Sequence, residues 1–236
     1  MAEALLEVAN LHAFYGESHI LHGVDFRVDK GEVVTLLGRN GAGRTTTLRA
    51  ILGLTGARSG SIRIKGVESI AMATHRIAHL GLGYCPEERG IFASLSCEEN
   101  LLLPPAVGTD GAGMSLAEIY AMFPNLAERR DSQGTRLSGG EQQMLAVARI
   151  LRTGASLLLL DEISEGLAPV IVQALARMIR MLKAKGYTVV MVEQNFRFAA
   201  PLADRFYVME HGRIVEGFAS AELEAKMNML HEYLGV

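Results

Sequence analysis

A nine-residue stretch, GRNGAGRTT at positions 38–46, has the residue types of a phosphate-binding loop. Such loops follow the pattern G-x-x-x-x-G-K-[ST] and lead into a helix whose N-terminus carries a partial positive charge. Glycines let the backbone turn so that several N–H groups point at phosphate oxygens. Three glycines are available for this: Gly38, Gly41 and Gly43. The same residues could also form a strand-to-helix turn that binds no ligand.

Two residues near the end of this stretch decide what it could bind. Thr45 supplies the hydroxyl that such loops place on Mg²⁺. Arg44 stands where the pattern has lysine. Arginine keeps the positive charge and can bind phosphate oxygens through two N–H groups, but its head is longer and flatter than an ammonium. The loop alone therefore leaves open whether the site works. Tyr15, the residues 138–141, Asp161 and Glu162, which the rest of the chain supplies, favour an active site with an altered affinity or rate.

A second candidate is LLLLDE at 157–162, an apolar run that ends in two carboxylates. A buried parallel strand has this composition, and ligands of open α/β sheets bind at the edge where such strands end. Asp161 is then expected near Mg²⁺. Glu162 is expected to orient and deprotonate a water molecule aimed at a terminal phosphate. A strand followed by an acidic turn is the alternative interpretation.

A third candidate is RLSGGEQQMLAVARIL at 136–151, which predicts the start of a helix. Ser138 followed three residues later by Glu141 is a capping box. Gly139 and Gly140 leave the first amides of that helix open to an incoming anion. An ordinary helix start would explain the capping box equally well.

The elements that must position these residues alternate between strand and helix. An apolar strand at 32–37 leads directly into the loop, and β segments at 5–9 and 20–28 precede it. This alternation predicts a mainly parallel sheet with helices on both faces. Residues 88–135 differ, because short helices flank a Pro/Gly-rich link at 104–114, and we predict a helical subdomain there. The elements predicted after it are a helix at 139–152, a strand at 156–161, a helix at 170–185 and a strand at 187–193. A short helix, the strands RFYVME and GRIVEG, and a helical tail at 220–235 follow.

Composition excludes several classes of protein. The 236 residues have a formal net charge of -3, with both signs mixed along the chain, so a polybasic surface for nucleic acid is not expected. Cys85 and Cys97 suggest no disulfide framework, which favours a reduced cytosolic setting. The first residues lack the features of a signal peptide. The longest apolar runs are far shorter than the ~18 residues of a membrane helix, so we expect any membrane role to be peripheral.

The pentapeptide Leu-Ser-Gly-Gly-Glu at 137–141, with QMLAVARIL close behind it, resembles the signature of the ABC ATPases. The resemblance extends over essentially the whole chain and is strongest to the ATP-binding subunits that serve branched-chain amino acid uptake. Further stretches support it: LHAFYGESHILHGVDF, GLGYCPEERGIFASLSCEENL, FPNLAER, LLLLDEISEGLAPVIV and VEQN. It implies an α/β fold of the P-loop NTPase class, with a mainly parallel core sheet, an N-terminal antiparallel β part and a helical subdomain. The core would comprise 1–87 and 136–236, and the helical subdomain 88–135.

The resemblance also implies roles for individual residues. ATP is expected on the Walker A loop, whose residues are Gly38, Arg39, Asn40, Gly41, Ala42, Gly43, Arg44, Thr45 and Thr46. Tyr15 is expected to stack on adenine, with a half-buried core tyrosine as the alternative. Asp161 becomes the Walker B aspartate and Glu162 the general base. Residues 164–169 are expected to contact a partner subunit. The γ-phosphate on the partner's loop is expected to meet the signature residues Ser138, Gly139, Gly140 and Glu141.

Three positions depart from the broad family pattern. Arg44 replaces the Walker A lysine, Glu87 stands where many relatives have a glutamine that touches Mg²⁺, and Gln194 stands where most have a histidine that contacts the γ-phosphate. The resemblance implies that Mg²⁺ lies among Thr45, Glu87 and Asp161. Gln194 can hydrogen-bond a phosphate oxygen but cannot carry a positive charge. For Glu87, a solvated loop carboxylate is the alternative.

The resemblance implies an ATPase that binds ATP and Mg²⁺ and works as a head-to-tail dimer, with two ATP molecules between identical or sister subunits. Its partners would be two transmembrane permease subunits and, indirectly, an extracytoplasmic solute-binding protein. The chain would then act at the cytoplasmic face of the inner membrane, where it powers uptake of amino acids of the branched-chain type. Amides, urea or another solute are alternatives. A regulatory binding module with little hydrolysis, owing to Arg44, is a further alternative.

Overall fold

The computed structural model describes residues 3–107 and 113–234, which form two β-sheets with helices packed around them. The middle of the predicted Pro/Gly-rich link, residues 108–112, and the last residue of the predicted tail helix lie outside the described residues. The strands are β1 (Ala4–Tyr15), β2 (Ser18–Asp29), β3 (Val33–Leu37), β4 (Arg58–Ile64), β5 (Val67–Glu68), β6 (Leu82–Cys85), β7 (Leu157–Asp161), β8 (Thr188–Val192), β9 (Arg205–Glu210) and β10 (Arg213–Ala219). The helices are α1 (Arg44–Ile51), α2 (Thr74–Ala78), α3 (Cys97–Leu102), α4 (Leu116–Met122), α5 (Pro124–Glu128), α6 (Gly139–Arg152), α7 (Pro169–Ala184), α8 (Phe196–Ala199) and α9 (Leu223–Leu234).

The larger sheet positions the candidate site. Its strand order is β10-β9-β3-β8-β7-β6. β3 lies parallel to β8 and β9, β7 lies parallel to β6 and β8, and β10 pairs antiparallel with β9 at one edge. Every residue of β3, β7 and β8 is buried, as central strands covered on both faces require. The carboxyl ends of these three strands therefore meet at one edge, and the predicted mainly parallel α/β sheet is confirmed.

The smaller sheet is the N-terminal antiparallel β part, with the order β2-β1-β4-β5. β1 and β2 have 12 residues each and exceed the segments predicted at 5–9 and 20–28. The register between the two strands shifts between Val8 and Leu11, and Asn10 adopts a positive φ of 48° there. Such a bulge lets a strand continue past a residue that breaks its alternating pattern, which is why the sequence predicted too early an end.

Residues 88–135 contain the short helices α3, α4 and α5. Apolar side chains from these helices pack with those of α6 in one buried cluster that also includes residues of β7 and α7. The division of the chain into a core and a helical subdomain stays a prediction. A second buried cluster contains apolar side chains from both sheets and packs the two sheets against each other. Across residues 3–107 and 113–234, no helix is long and apolar enough to cross a bilayer.

Candidate functional site

The loop between β3 and α1 requires glycine at the positions the sequence predicted. A Cβ on Gly38 would lie 2.5 Å from the carbonyl oxygen of Met209. Gly43 has φ 102° and a Cβ there would lie 2.9 Å from Cδ2 of Leu21, while Gly41 has φ 80°. Residues with side chains adopt such conformations only with strain. The backbone thus curves tightly before α1 begins at Arg44.

A cavity of about 440 Å³ lies over this loop. It brings together residues from five separated parts of the sequence, and the shared edge at the carboxyl ends of the parallel strands accounts for most of them. Its lining consists of Ile20, Asn40, Gly41, Gly43, Arg44, Thr45, Thr46, Glu87, Glu162, Glu165 and Gln194. The structure therefore assembles the predicted loop, the predicted general base, Glu87 and Gln194 around one space.

The guanidinium of Arg44 is buried at the base of this cavity, with 4% of the side chain exposed. Its Nη2 donates to Oε1 of Glu162 at 2.7 Å and to Oδ1 of Asn40 at 3.3 Å. Its Nη1 is buried and has no hydrogen-bond partner in the part of the chain that the structure describes. Burial lowers the pKa of Arg44, although the nearby carboxylates oppose this. Nη2 is thus bonded to Glu162 and Asn40, whereas Nη1 still has N–H donors that a bound ligand could use.

Glu162 lies immediately after β7 in a left-handed conformation, with φ 47°. Gln194 holds its carboxylate from the other side, since Nε2 donates to Oε2 at 3.2 Å and approaches Oε1 at 3.4 Å. The same amide donates to Oδ1 of Asn40 at 2.5 Å. Burial, followed by a hydrogen bond with Glu165, raises the pKa of Glu162 to about 7, and the charge of Arg44 opposes the rise. A carboxyl with such a pKa can exchange a proton near neutral pH.

Asp161 ends β7 and is fully buried. Thr45 donates its hydroxyl to Oδ1 at 2.9 Å, and Tyr84 of β6 donates its hydroxyl to Oδ2 at 3.1 Å. Burial raises the pKa of Asp161, while these hydrogen bonds lower it. The sequence did not indicate Tyr84, because its contact depends on the pairing of β6 with β7. Tyr84 fixes the Asp161 carboxylate that the loop threonine also reaches.

Glu193 and Ser164 form a second contact that sequence reasoning missed. Glu193 follows β8, is 1% exposed, and accepts the hydroxyl of Ser164 at Oε2 (2.7 Å) and its backbone N–H at Oε1 (3.2 Å). Burial raises the pKa of Glu193 to about 7. The contact ties the segment that follows Glu162 to the segment that carries Gln194. A lone glutamate after an apolar strand was the only signal for it.

The oxygen donors present fit a magnesium ion. The Thr45 hydroxyl and the Asp161 carboxylate are in contact at 2.9 Å, and one carboxylate oxygen from each of Glu87, Glu162 and Glu165 lies within 4.8 Å of the others. Hydroxyl and carboxylate oxygens are the ligands that Mg²⁺ takes, often together with phosphate oxygens. Thr45, Glu87, Glu162 and Glu165 line the cavity over the loop, and the buried Asp161 lies behind Thr45, whose hydroxyl it accepts.

Several predicted residues do not line this cavity: Gly38, Arg39 and Ala42 of the loop, Asp161 at the end of β7, Tyr15, and the signature residues 138–141. Tyr15 ends β1 beside the hairpin turn and is 40% exposed, with Arg49 in contact with it. Residues 138–141 form the capping box that the sequence predicted: the hydroxyl oxygen of Ser138 accepts from the backbone N–H of Glu141 at 3.3 Å, and Oε2 of Glu141 accepts from the backbone N–H of Ser138 at 2.7 Å. The four signature residues therefore cap α6 outside the cavity of their own subunit.

Comparison with known proteins relates this chain to one family. A family model described as ABC transporter matches residues 21–165. The chain is 41% identical to the high-affinity branched-chain amino acid transport ATP-binding protein BraG of Pseudomonas aeruginosa, over 98% of this chain and 100% of that protein. It is 32% identical to a probable branched-chain amino acid transport ATP-binding protein LivF of Archaeoglobus fulgidus, over 93% and 94%. It is 31% identical to the lipopolysaccharide export system ATP-binding protein LptB of Escherichia coli, over 98% of both.

Solved structures share the fold. An ATP-binding subunit of an ABC transporter superposes with a TM-score of 0.80 at 28% identity, over 98% of this chain and 100% of that one. A dimeric, post-hydrolysis state of the ATP-binding cassette MJ0796, bound to ADP and Pi, superposes with a TM-score of 0.79 at 22% identity, over 91% of this chain and 98% of that one. These likenesses confirm the predicted fold class.

Proposed function

The chain belongs to the ABC transporter family, whose ATP-binding cassettes are ATPases, and we propose that it hydrolyses ATP to power uptake of branched-chain amino acids. Two similar proteins carry branched-chain amino acid transport in their names, and BraG matches this chain over nearly its whole length. The LptB protein, by its name, serves lipopolysaccharide export. The higher identity to BraG, 41% against 31%, supports an importer over an exporter.

The observation that carries the proposal is the buried Nη1 of Arg44, which has no hydrogen-bond partner within residues 3–107 and 113–234. A buried donor without an acceptor costs about 1–3 kcal/mol, and a phosphate oxygen above the loop supplies the acceptor. Arginine binds phosphate through a planar fork of N–H groups. The turned backbone at Gly41 and Gly43 adds N–H donors beside it. Arg44 thus acts as a phosphate ligand in place of the usual lysine.

Residues around the phosphates supply the chemistry. Thr45 and Asp161 would hold a Mg²⁺ ion, with Glu87 as a further oxygen donor, and the ion would supply charge that neutralises the phosphates. Glu162 takes a proton from the attacking water, which its pKa of about 7 allows at neutral pH. Gln194 keeps the Glu162 carboxylate in place and presents an N–H group to the γ-phosphate. Arg44 loosens its contact with Glu162 as it turns to the phosphates, which frees the base.

Closure of two subunits completes the site. The signature residues Ser138, Gly139, Gly140 and Glu141 cap α6 outside their own cavity, so the phosphate they bind belongs to the facing subunit. A helix of 14 residues with glycines in its first turn offers N–H groups and a partial positive charge to that phosphate. Tyr15 stacks on adenine from its exposed place at the end of β1. A protein of the same fold forms a dimer with ADP and Pi, which supports a head-to-tail dimer here.

Apolar side chains mark the surface for membrane partners. Phe92, Leu102 and Leu103 are 47%, 55% and 50% exposed, and all three belong to the segment 87–103 that begins at the site residue Glu87. We propose that each chain of the dimer contacts one of two permease subunits through this surface at the cytoplasmic face of the membrane, with a solute-binding protein acting on the permease from the other side. Movement at Glu87 on ATP binding then reaches the permease through one short segment.

A second candidate is a regulatory module that binds ATP and hydrolyses little, and the 2.7 Å contact between Arg44 and Glu162 favours it. A steady-state Mg²⁺-dependent ATPase assay separates the two. We expect turnover in the wild type, and no turnover with ATP binding retained in Glu162→Gln, because glutamine cannot accept the proton. Equal turnover in both proteins would remove Glu162 as the base. Leucine uptake by vesicles that contain the chain, its permease pair and the solute-binding protein then tests the substrate class, and ATPase activity without such uptake would reject that part alone.

A further inference from the structure

Three histidines lie close together on the β1–β2 hairpin. None of them lines the cavity over the loop at 38–46, which we call the nucleotide cavity. His12 on β1 lies directly opposite His22 on β2. The ring centroid of His19 is 5.2 Å from that of His12 and 4.0 Å from that of His22. Nδ1 of His12 and Nε2 of His19 are 3.0 Å apart. We propose that His12, His19 and His22 bind a divalent transition-metal ion of the zinc class.

The spacing of the first two nitrogens supports this site. Zinc–nitrogen bonds of 2.0–2.1 Å in a tetrahedron place ligand nitrogens roughly 3.3 Å apart, close to the 3.0 Å between His12 and His19. In the metal-free hairpin one of these two nitrogens carries the proton that joins them. An entering ion takes the place of that proton, which passes to solvent. The hydrogen-bonded pair therefore needs little movement to become a pair of ligands.

Two neighbours hold these rings in the orientation that ligation needs. Oδ1 of Asn10 lies 3.2 Å from Nε2 of His12, so that nitrogen donates to the amide oxygen and leaves a lone pair on Nδ1. Histidines that bind metals usually donate their other N–H to an oxygen in this way. Phe14 stacks on the ring of His19, with centroids 4.2 Å apart and planes 13° apart. The hydrogen bond with Asn10 thus orients the ring of His12, and stacking on Phe14 orients the ring of His19.

His22 supplies the third ligand after a rotation of its side chain. In residues 3–107 and 113–234, only Glu87, Glu162 and Glu165 bring three ligand atoms within 4.8 Å of one another, so the His22 nitrogen must turn toward the pair. Its ring is half-buried on the strand facing His12 and has a broad χ2 torsion. Water completes the four ligands.

An ion bound at this site would link the two strands of the hairpin. Tyr15 lies at the turn between the strands that carry His12 and His22, and Ile20, next to His19, lines the nucleotide cavity. An ion held across both strands would fix the hairpin that carries these two residues. The inference depends only on the hairpin, so it stands or fails separately from the proposed transport role.

The test uses the full chain without nucleotide, in excess Mg²⁺ so that the carboxylates of the nucleotide cavity are occupied. Zn²⁺ is titrated in competition with a chromophoric chelator. We expect one equivalent to bind, His19→Gln to weaken binding at least about tenfold, and Asn10→Ala to weaken it by about 10–100-fold. The matched control is the double variant His75→Gln/His79→Gln, which removes two exposed histidines at the α2 helix. It should bind Zn²⁺ as the wild type does.

A second measurement keeps the proposal testable without variants. Cu²⁺ bound at one equivalent to the wild type is expected to show couplings from at least two imidazole nitrogens in its electron paramagnetic resonance spectrum. A spectrum with oxygen ligands alone would mean that the ion prefers the acidic set at the nucleotide cavity, and the histidine site would be rejected. Affinity for Zn²⁺ that is unchanged in His19→Gln, or lost in the His75/His79 control, would also reject it.

Discussion

Replacing Glu162 with glutamine is expected to leave the nucleotide-free protein at least as stable as wild type at pH 8, and less sensitive to pH. Burial and the contact with Glu165 raise the pKa of Glu162 from its ordinary 4.5 to about 7, and Arg44 offsets only part of the rise. The folded protein therefore keeps a proton on Glu162 where the unfolded chain has released it. This contribution to stability is complete below pH 4.5 and is lost as the pH rises through about 7.

The size of the effect follows from that pKa. At about 1.4 kcal/mol for each pKa unit, the rise from 4.5 to about 7 corresponds to roughly 3 kcal/mol. Glutamine has the shape of the protonated side chain and cannot ionise, so the variant does not lose this stability. For a chain of this length, 1 kcal/mol moves Tm by about 2–4 °C. The Tm of Glu162→Gln relative to wild type should therefore rise by about 6–12 °C between pH 4.5 and pH 8.

The assay is unfolding by urea and by heat at steps of pH, without nucleotide, for wild type and Glu162→Gln. Glu128→Gln is the control, because Glu128 is an exposed carboxyl at the end of α5; its difference from wild type should stay flat by comparison. If Glu162 were instead ionised and paired with Arg44, glutamine would destabilise the protein, because removing one partner of a buried ion pair costs about 3–5 kcal/mol. If Glu162→Gln is less stable than wild type by that amount at pH 8, our reasoning is wrong.

Three further changes test other contacts of the site. Arg44→Lys should hydrolyse ATP at least as fast as wild type in a steady-state assay if Arg44 is a phosphate ligand; a large rise from almost no activity would instead identify Arg44 as a brake. Glu193→Ala leaves two buried donors of Ser164 unpaired, so we expect unfolding to become easier by about 1–3 kcal/mol per donor and kcat to fall with little change in the KM for ATP. Glu193→Gln should restore both, and failure to do so would argue against a positioning role. Gly43→Ala should weaken ATP binding, measured as Kd, more than Gly186→Ala does. Both glycines have a positive φ, but only at Gly43 would the added Cβ lie 2.9 Å from another side chain. Equal changes in Kd would mean that φ alone matters.

Local patterns in the sequence were sufficient to predict the features that depend on neighbouring residues. The loop at 38–46, the buried strand that ends at Asp161 and the capping box before α6 all appear where their patterns predicted them. Each depends on a turn, a period or a cap that involves a few consecutive residues. The order of these patterns along the chain was also sufficient to predict a mainly parallel sheet.

Contacts between residues that are distant in the sequence depend on how the strands pack, and no local pattern predicted them. Arg44 lies 118 positions from Glu162, yet the adjacent ends of β3, β8 and β7 bring the two side chains to 2.7 Å. The same packing buries Glu162 and Glu193 and raises the pKa of each to about 7. A local pattern cannot encode the loss of solvent around a carboxyl, because that loss depends on every element packed against it. The sequence located the loop and its unusual arginine, and the packing of the sheet decided which carboxylate that arginine meets.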